Sequence, residues 1–122
     1  MNNENEIIVQ HIKSNLVEWK PLMEEGVDTK GIFIKVLRYD EKSKRAPSIL
    51  LKFEPGAKYP AHNHPGGEEV FILEGEVRFG NKHLSAGDYL YTPPSGKHAV
   101  LSEKGCTMLL MIPEEVEIIK TK

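Results

Sequence analysis

Cysteine is almost absent from this sequence: Cys106 is the only one in 122 residues. A lone thiol forms no internal disulfide, which excludes a staple-dependent secreted scaffold and makes a reducing cytoplasm the expected compartment. An excess of one charge is lacking too. The 16 basic and 18 acidic residues leave a formal charge of −2, with no electrostatic footprint for nucleic acid and no basic patch for an anionic membrane. No apolar run approaches the length that spans a bilayer, and the opening MNNENE has nothing of a secretory signal. Amphipathic helical periodicity, internal repeats and low-complexity tracts are also missing. What remains is an ordinary globular composition, 39% hydrophobic and 28% charged, in a length suited to one domain and one core.

The residues that are there read as short strands separated by turns. Met1 to Glu6 is polar and expected to fray. The apolar run Ile7-Ile8-Val9 suits an edge strand or a subunit contact, and Val17 to Met23 has no clean period and suits an arm. From Gly31 onward strands are predicted over Gly31–Tyr39, Ser48–Phe53, Glu68–Leu73, Glu76–Phe79, Lys82–Leu84, Tyr89–Thr92, His98–Leu101 and Cys106–Ile112. The breaks between them are Asp40–Pro47, Glu54-Pro55-Gly56, Glu74-Gly75, Gly80-Asn81, Ala86-Gly87-Asp88, Pro93–Gly96 and Glu103–Gly105. Many short strands at about ten-residue spacing predict an all-β sandwich or barrel.

The stretch GAKYPAHNHPGGEEVFILEG, from Gly56 to Gly75, carries the chemistry. His62 and His64 are two apart, so on a strand both imidazoles face one side. Glu68 follows across Pro65-Gly66-Gly67, on the face of Val70 and Ile72, whereas Glu69 shares the face of Phe71 and Leu73. His98 opens a later strand and is a candidate fourth ligand. Three imidazoles and a carboxylate suit Zn, Fe, Mn, Co, Ni or Cu better than Ca or Mg.

These residues match a family pattern. Gly56, His62-x-His64, Glu68 and Gly75 resemble the first motif of the cupins, and Gly87, Pro93, Gly96 and His98 resemble the second. The resemblance implies a single-domain double-stranded β-barrel (jelly roll) over residues 31–122, with residues 1–30 as an N-terminal arm packing on it. It also implies one divalent metal ion, iron or zinc foremost, held inside the barrel by His62, His64, Glu68 and His98, and the motif spacing selects Glu68 over Glu69. Trp19 with Pro21, Pro55-Gly56, Gly66 to Glu69, Leu73-Glu74-Gly75, Pro93-Pro94 and Gly105-Cys106 are similar to the ChrR-like cupin domains and acetylacetone dioxygenase. Two positions depart from the pattern: Ser95 and Gly96 are swapped, and Ser102 stands where an Asn is usual.

The likeness to acetylacetone dioxygenase implies oxidative cleavage of a small dicarbonyl or enol, with Glu68, displaced from the ion, able to take up the substrate proton. The likeness to ChrR implies instead a non-catalytic metal- or ligand-binding regulator. This chain has no cysteine before Cys106, which argues against the cysteine-bearing zinc domain that precedes the cupin in ChrR. A small molecule is thus the expected partner, with no nucleic acid and no membrane. A homodimer is expected as well, because Ile7-Ile8-Val9 and the two apolar faces of Glu68–Leu73 need cover. Ile49, Leu51, Phe53, Val100, Met108 and Leu110 are read as core or pocket wall, and Tyr59, Tyr89 and Tyr91 as pocket rim or exposed strand residues. His11 and His83 are read as solvated or structural, and Cys106 as a small buried apolar residue.

Overall fold

The computed structural model of the chain describes residues 7–120. Among the described residues ten strands form: β1 Lys20–Pro21, β2 Ile32–Asp40, β3 Arg45–Phe53, β4 Ala57–His64, β5 Glu68–Phe79, β6 Lys82–Ser85, β7 Tyr89–Thr92, β8 Gly96–Ser102, β9 Cys106–Met111 and β10 Glu117–Ile118. Among the described residues the only helix is a 3₁₀ turn at Ser14–Leu16.

Every strand pairing is antiparallel, in the order β1-β2-β3-β9-β5-β8-β4-β10, with β6 and β7 also on β5. The 12-residue β5 joins the two layers. Its first part, Glu68 to Gly75, pairs with β9 and β7, and its last part, Glu76 to Phe79, pairs with β6 and β8. This is the expected all-β barrel.

Alternation sets what fills it. Ile49, Leu51 and Phe53 on β3, Met108 and Leu110 on β9, and Val70 and Ile72 on β5 turn inward and pack against Val77, Phe79 and Val100 of the other layer. Ile72 and Val70 are fully buried. Each such side chain stabilises the fold by roughly 1.5–3 kcal/mol relative to an exposed position.

The inward set on β5 changes parity, from 68, 70 and 72 to 77 and 79. The cause is a β-bulge: two residues of β5 span Ile72 to Glu74 while β9 moves only one, from Met108 to Thr107. The expected turn at Glu74-Gly75 is therefore not a turn. The chain bends there without leaving the sheet, because Gly75 adopts a φ of 79°.

Three further expectations need correction. The loop closed by Pro47 is shorter than expected: β3 already begins at Arg45, and Pro47 sits where the β2–β3 ladder is irregular and a missing N–H is tolerated. Ile7-Ile8-Val9 forms no strand within this chain and is 72–89% exposed. Near the C-terminus β10 pairs with β4, although no strand was expected after Ile112. Met1 to Glu6, expected to fray, lie outside the described residues.

Between Ser14 and Val27 the segment before β2 makes contacts with the barrel. Trp19 lies under the ammonium groups of Lys35 and Lys52, at 4.7 and 4.9 Å from its ring. Lys35 Nζ also donates to the Ser14 carbonyl at 2.8 Å. Leu22 and Val27 pack against the core.

Candidate metal centre

Local folding brings the candidate ligands to one point. On β4 a second bulge lies between Tyr59 and His62: three steps along β4 match two along β8, from Val100 to His98. Tyr59, His62 and His64 consequently all turn inward. His62 stands directly opposite His98 on β8. The turn after His64 returns the chain at Gly67, whose amide donates to the His64 carbonyl at 3.2 Å. Gly67 has a φ of 81°, and a Cβ there would lie 2.9 Å from the Thr92 carbonyl oxygen. This close approach places Glu68 as the first residue of β5. The Ser95 amide donates to the same His64 carbonyl at 2.8 Å, tying the loop before His98 to the turn.

One ligand atom from each of His62, His64, Glu68 and His98 lies within 4.8 Å of the others. His62, His64 and Glu68 are almost fully buried. His64 Nε2 is 3.0 Å from His98 Nε2, and Glu68 oxygens lie 3.4 Å from each of these nitrogens. His62 Nδ1 lies 2.7 Å from the Pro60 carbonyl. A carbonyl only accepts, so Nδ1 carries the hydrogen and Nε2 keeps its lone pair.

Burial lowers the His62 pKa to about 4; the Pro60 carbonyl opposes the fall, and the neighbouring imidazoles add to it. Burial and then the adjacent His98 lower His64 to about 4. Both rings are therefore neutral at pH 7, the state in which imidazole binds a metal.

The cluster is not satisfied by its own members. Glu68 Oε1 and His64 Nδ1 are buried without a hydrogen-bond partner. Only one hydrogen can lie between the facing nitrogens of His64 and His98, and a buried carboxylate next to neutral rings is costly. A divalent cation among these atoms relieves both, so the donor set fits such an ion.

His62, His64 and Glu68 of the cluster line a cavity of about 80 Å³. Its wall includes Ile49, Leu51, Phe53, Val100, Met108 and Leu110, so the expected core residues are also pocket wall. Leu22, Glu24, Tyr59, Phe79, Ile112 and Val116 complete the lining.

Comparison with known proteins places this arrangement in a family. The family model described as the ChrR cupin-like domain matches residues 8–113. The chain belongs to this family. A protein assigned as an acetylacetone dioxygenase from Methylibium petroleiphilum PM1 has a similar structure, with a TM-score of 0.84 at 20% identity over 98% of this chain and 86% of that one. The Rhodobacter sphaeroides complex of SigE with the anti-sigma ChrR contains a similar fold, with a TM-score of 0.62 at 23% identity over 80% of this chain and 49% of that one. Both likenesses concern the fold. The DNA damage-repair/toleration protein DRT102 of Arabidopsis thaliana is 32% identical over 59 residues, 43% of this chain and only 19% of that protein.

In this ChrR-like cupin the remaining candidates fall outside the cluster. Glu69 faces the other side of β5 and accepts a hydrogen bond from the Tyr89 hydroxyl at 2.6 Å. Tyr89 and Tyr91 are exposed on that outer side and do not rim the cavity, whereas Tyr59 lines it. His83 is exposed beside Glu76, and His11 is exposed. Cys106 is buried, which raises its thiol pKa and makes it a poor nucleophile.

Sequence reasoning missed Glu24, Leu22 and Val116, which line the cavity from segments outside the motifs. Glu24 accepts a hydrogen bond from the Tyr59 hydroxyl at 2.6 Å, and the Tyr59 ring meets His62 edge-on at 5.0 Å. Burial and the Glu24 carboxylate raise the Tyr59 pKa, so its hydroxyl stays a donor.

Proposed function

We propose that the protein is a metal-dependent enzyme of the dioxygenase type, acting on a small dicarbonyl or its enol. The observation that carries this reading is an apolar cavity lined by His62, His64 and Glu68, whose ligand atoms cluster with that of His98 and include an unpartnered carboxylate oxygen. His62, His64, Glu68 and His98 would hold one divalent transition ion, iron or zinc before Mn, Ni, Co or Cu. When bound, that ion supplies Lewis acidity toward enol oxygens and, if iron, redox chemistry with dioxygen. The neutral rings of His62 and His64 offer lone pairs without first losing a proton. Glu68, when displaced from the ion, would take the proton released as a dicarbonyl becomes its enolate. The mostly apolar wall suits the carbon skeleton of a small dione.

Metal content should be measured by mass spectrometry on protein expressed without added metal and purified under nitrogen, followed by oxygen uptake with acetylacetone and related diones. About one iron per chain with dione-dependent uptake supports the enzyme. Iron bound without uptake for any dione removes it. Full activity in Glu68→Gln with metal bound would remove the proton-accepting role alone.

A regulatory reading is favoured by the family description and by the fold shared with the SigE–ChrR complex. About one zinc per chain and no turnover would select it. Under either reading we place the protein in a reducing cytoplasm, on the strength of its lone buried thiol, and infer that it is a homodimer.

A further inference from the structure

The cavity holds a second carboxylate that the metal-binding reading does not use. Glu24 lies far from the motifs in sequence, yet it lines the cavity together with Tyr59 and the ligands His62, His64 and Glu68. Its backbone is fixed at both ends of a short turn. The Leu22 amide donates to the Ile32 carbonyl at 2.9 Å, Thr29 Oγ1 donates to the Leu22 carbonyl at 2.5 Å, and the Val27 amide donates to the Glu24 carbonyl at 3.2 Å. Its side chain is held by the Tyr59 hydroxyl at 2.6 Å. This carboxylate is therefore built into the cavity.

The charges around the cavity then have a definite balance. No lysine or arginine lines it among the described residues. A divalent ion with Glu68 leaves one positive charge at the cluster, and Glu24 adds one negative charge to the lining. A neutral dione that gives its proton to Glu68 on becoming an enolate keeps that single positive charge, which Glu24 offsets. A ligand carrying a further anionic group would have to set it in an apolar space facing Glu24, with no cation to receive it.

We propose that Glu24 is a specificity-determining residue, which restricts the cavity to small diones that are otherwise uncharged and rejects those bearing a carboxylate. This rests on the metal-binding reading above. Tyr59 is the positioning residue that aims the Glu24 carboxylate. At an effective dielectric constant of about 20, repulsion between two such charges several ångströms apart corresponds to roughly ten- to hundredfold in affinity.

The test is a charge series at one position: wild type, Glu24→Gln and Glu24→Lys, loaded with metal and assayed for metal content in the same samples. The probes are 3,5-dioxohexanoate and its methyl ester, which present the same 1,3-diketone and differ in one charge. Isothermal calorimetry gives the ratio of the two dissociation constants. Glu24→Gln keeps an acceptor for the Tyr59 hydroxyl, so the fold is preserved while the charge is lost. The ratio should favour the ester in the wild type, shift toward the acid by at least tenfold in Glu24→Gln, and shift further in Glu24→Lys. A purely structural role would not grade with charge. Equal metal content with an unchanged ratio across the series overturns the proposal and leaves the metal centre standing. Failure of both probes to bind any metal-loaded form overturns it as well. Protein that takes up no metal overturns the metal centre, and the proposal with it.

Discussion

At the residue scale the chemistry of the centre comes from burial acting on ordinary side chains. His62 and His64 titrate near pH 4 in the folded chain against an ordinary 6.5, because their charged forms lose hydration inside the barrel. Between those values the unfolded chain binds more protons than the folded one, so stability rises with pH across this window. The metal-free protein should therefore keep this contribution above pH 6.5 and lose it progressively as the pH falls toward 4. Denaturant midpoints of chelator-treated protein across that range will show the loss, and the curve should flatten in His64→Phe. A flat wild-type curve would contradict the burial of both rings. The role of Glu68 is tested at the same scale. Glu68→Gln preserves the side chain's shape but removes its charge, and should weaken metal binding by roughly tenfold or more in chelator competition. Unchanged affinity would exclude Glu68 as a ligand. Ser95 shows the opposite kind of cost. Its φ of 73° is in the left-handed region, while a Cβ at Gly96 would collide with Thr92 Cγ2. The swapped pair thus puts the Cβ where space allows, at a conformational cost of about 1 kcal/mol. Ser95→Gly should raise the denaturant midpoint slightly, and a fall would show that the serine side chain contributes something the backbone strain does not reveal.

At the scale of elements, two bulges decide what the sequence made legible. Strict alternation correctly placed His62 with His64, and Glu68 with Val70 and Ile72, because no bulge falls inside those short spans. The same rule fails across Tyr59 to His62, where one extra residue of β4 turns Tyr59 to the face of His62. It also fails from Ile72 to Val77, where Glu74-Gly75 predicts a turn and the chain instead bends within β5. A one-residue slip reverses every side chain beyond it, and nothing local in YPAH or LEGE distinguishes a bulge from a strand end. Glu24 was illegible for a further reason: its partner Tyr59 lies 35 residues away, in a segment without periodicity. Motif spacing, by contrast, captured His98, because the sheet places it opposite His62. The β5 bend gives a prediction of its own. A Cβ on Gly75 would collide with the Gly105 carbonyl oxygen and lie 2.8 Å from Cys106 Cα, and its φ is positive as well. Both obstacles are backbone, which has little room to yield. Gly75→Ala should cost about 3 kcal/mol or more, or abolish folding. A loss below about 1 kcal/mol would mean that the two layers of the barrel can be joined at another angle.

For the whole molecule, the outer face of the first layer is the surface that one chain leaves unfinished. Phe71, Leu73, Tyr89, Tyr91 and Met111 are 37–56% exposed, and the strand register places them side by side. Phe71 lies opposite both Tyr89 and Leu109, and Glu69 lies opposite Tyr91 and Met111. Several large apolar side chains on one flat face mark an interaction site more often than a solvated surface. The charges in and beside it favour a second copy as the occupant. Arg38 and Lys52 lie toward β2 and β3, and Glu69 lies within the strip on β5. A two-fold axis through the strip would bring the basic side of one copy toward Glu69 of the other. The wild-type protein should therefore sediment at twice the chain mass at micromolar concentration. Phe71→Lys puts an ammonium into the middle of the strip and should give a monomer that retains its metal, since residue 71 faces away from the cavity. A monomeric wild type would remove the second copy as the cover for this face, and a dimer that persists in Phe71→Lys would move the contact elsewhere, with Ile7-Ile8-Val9 and the edge strands the next surfaces to test.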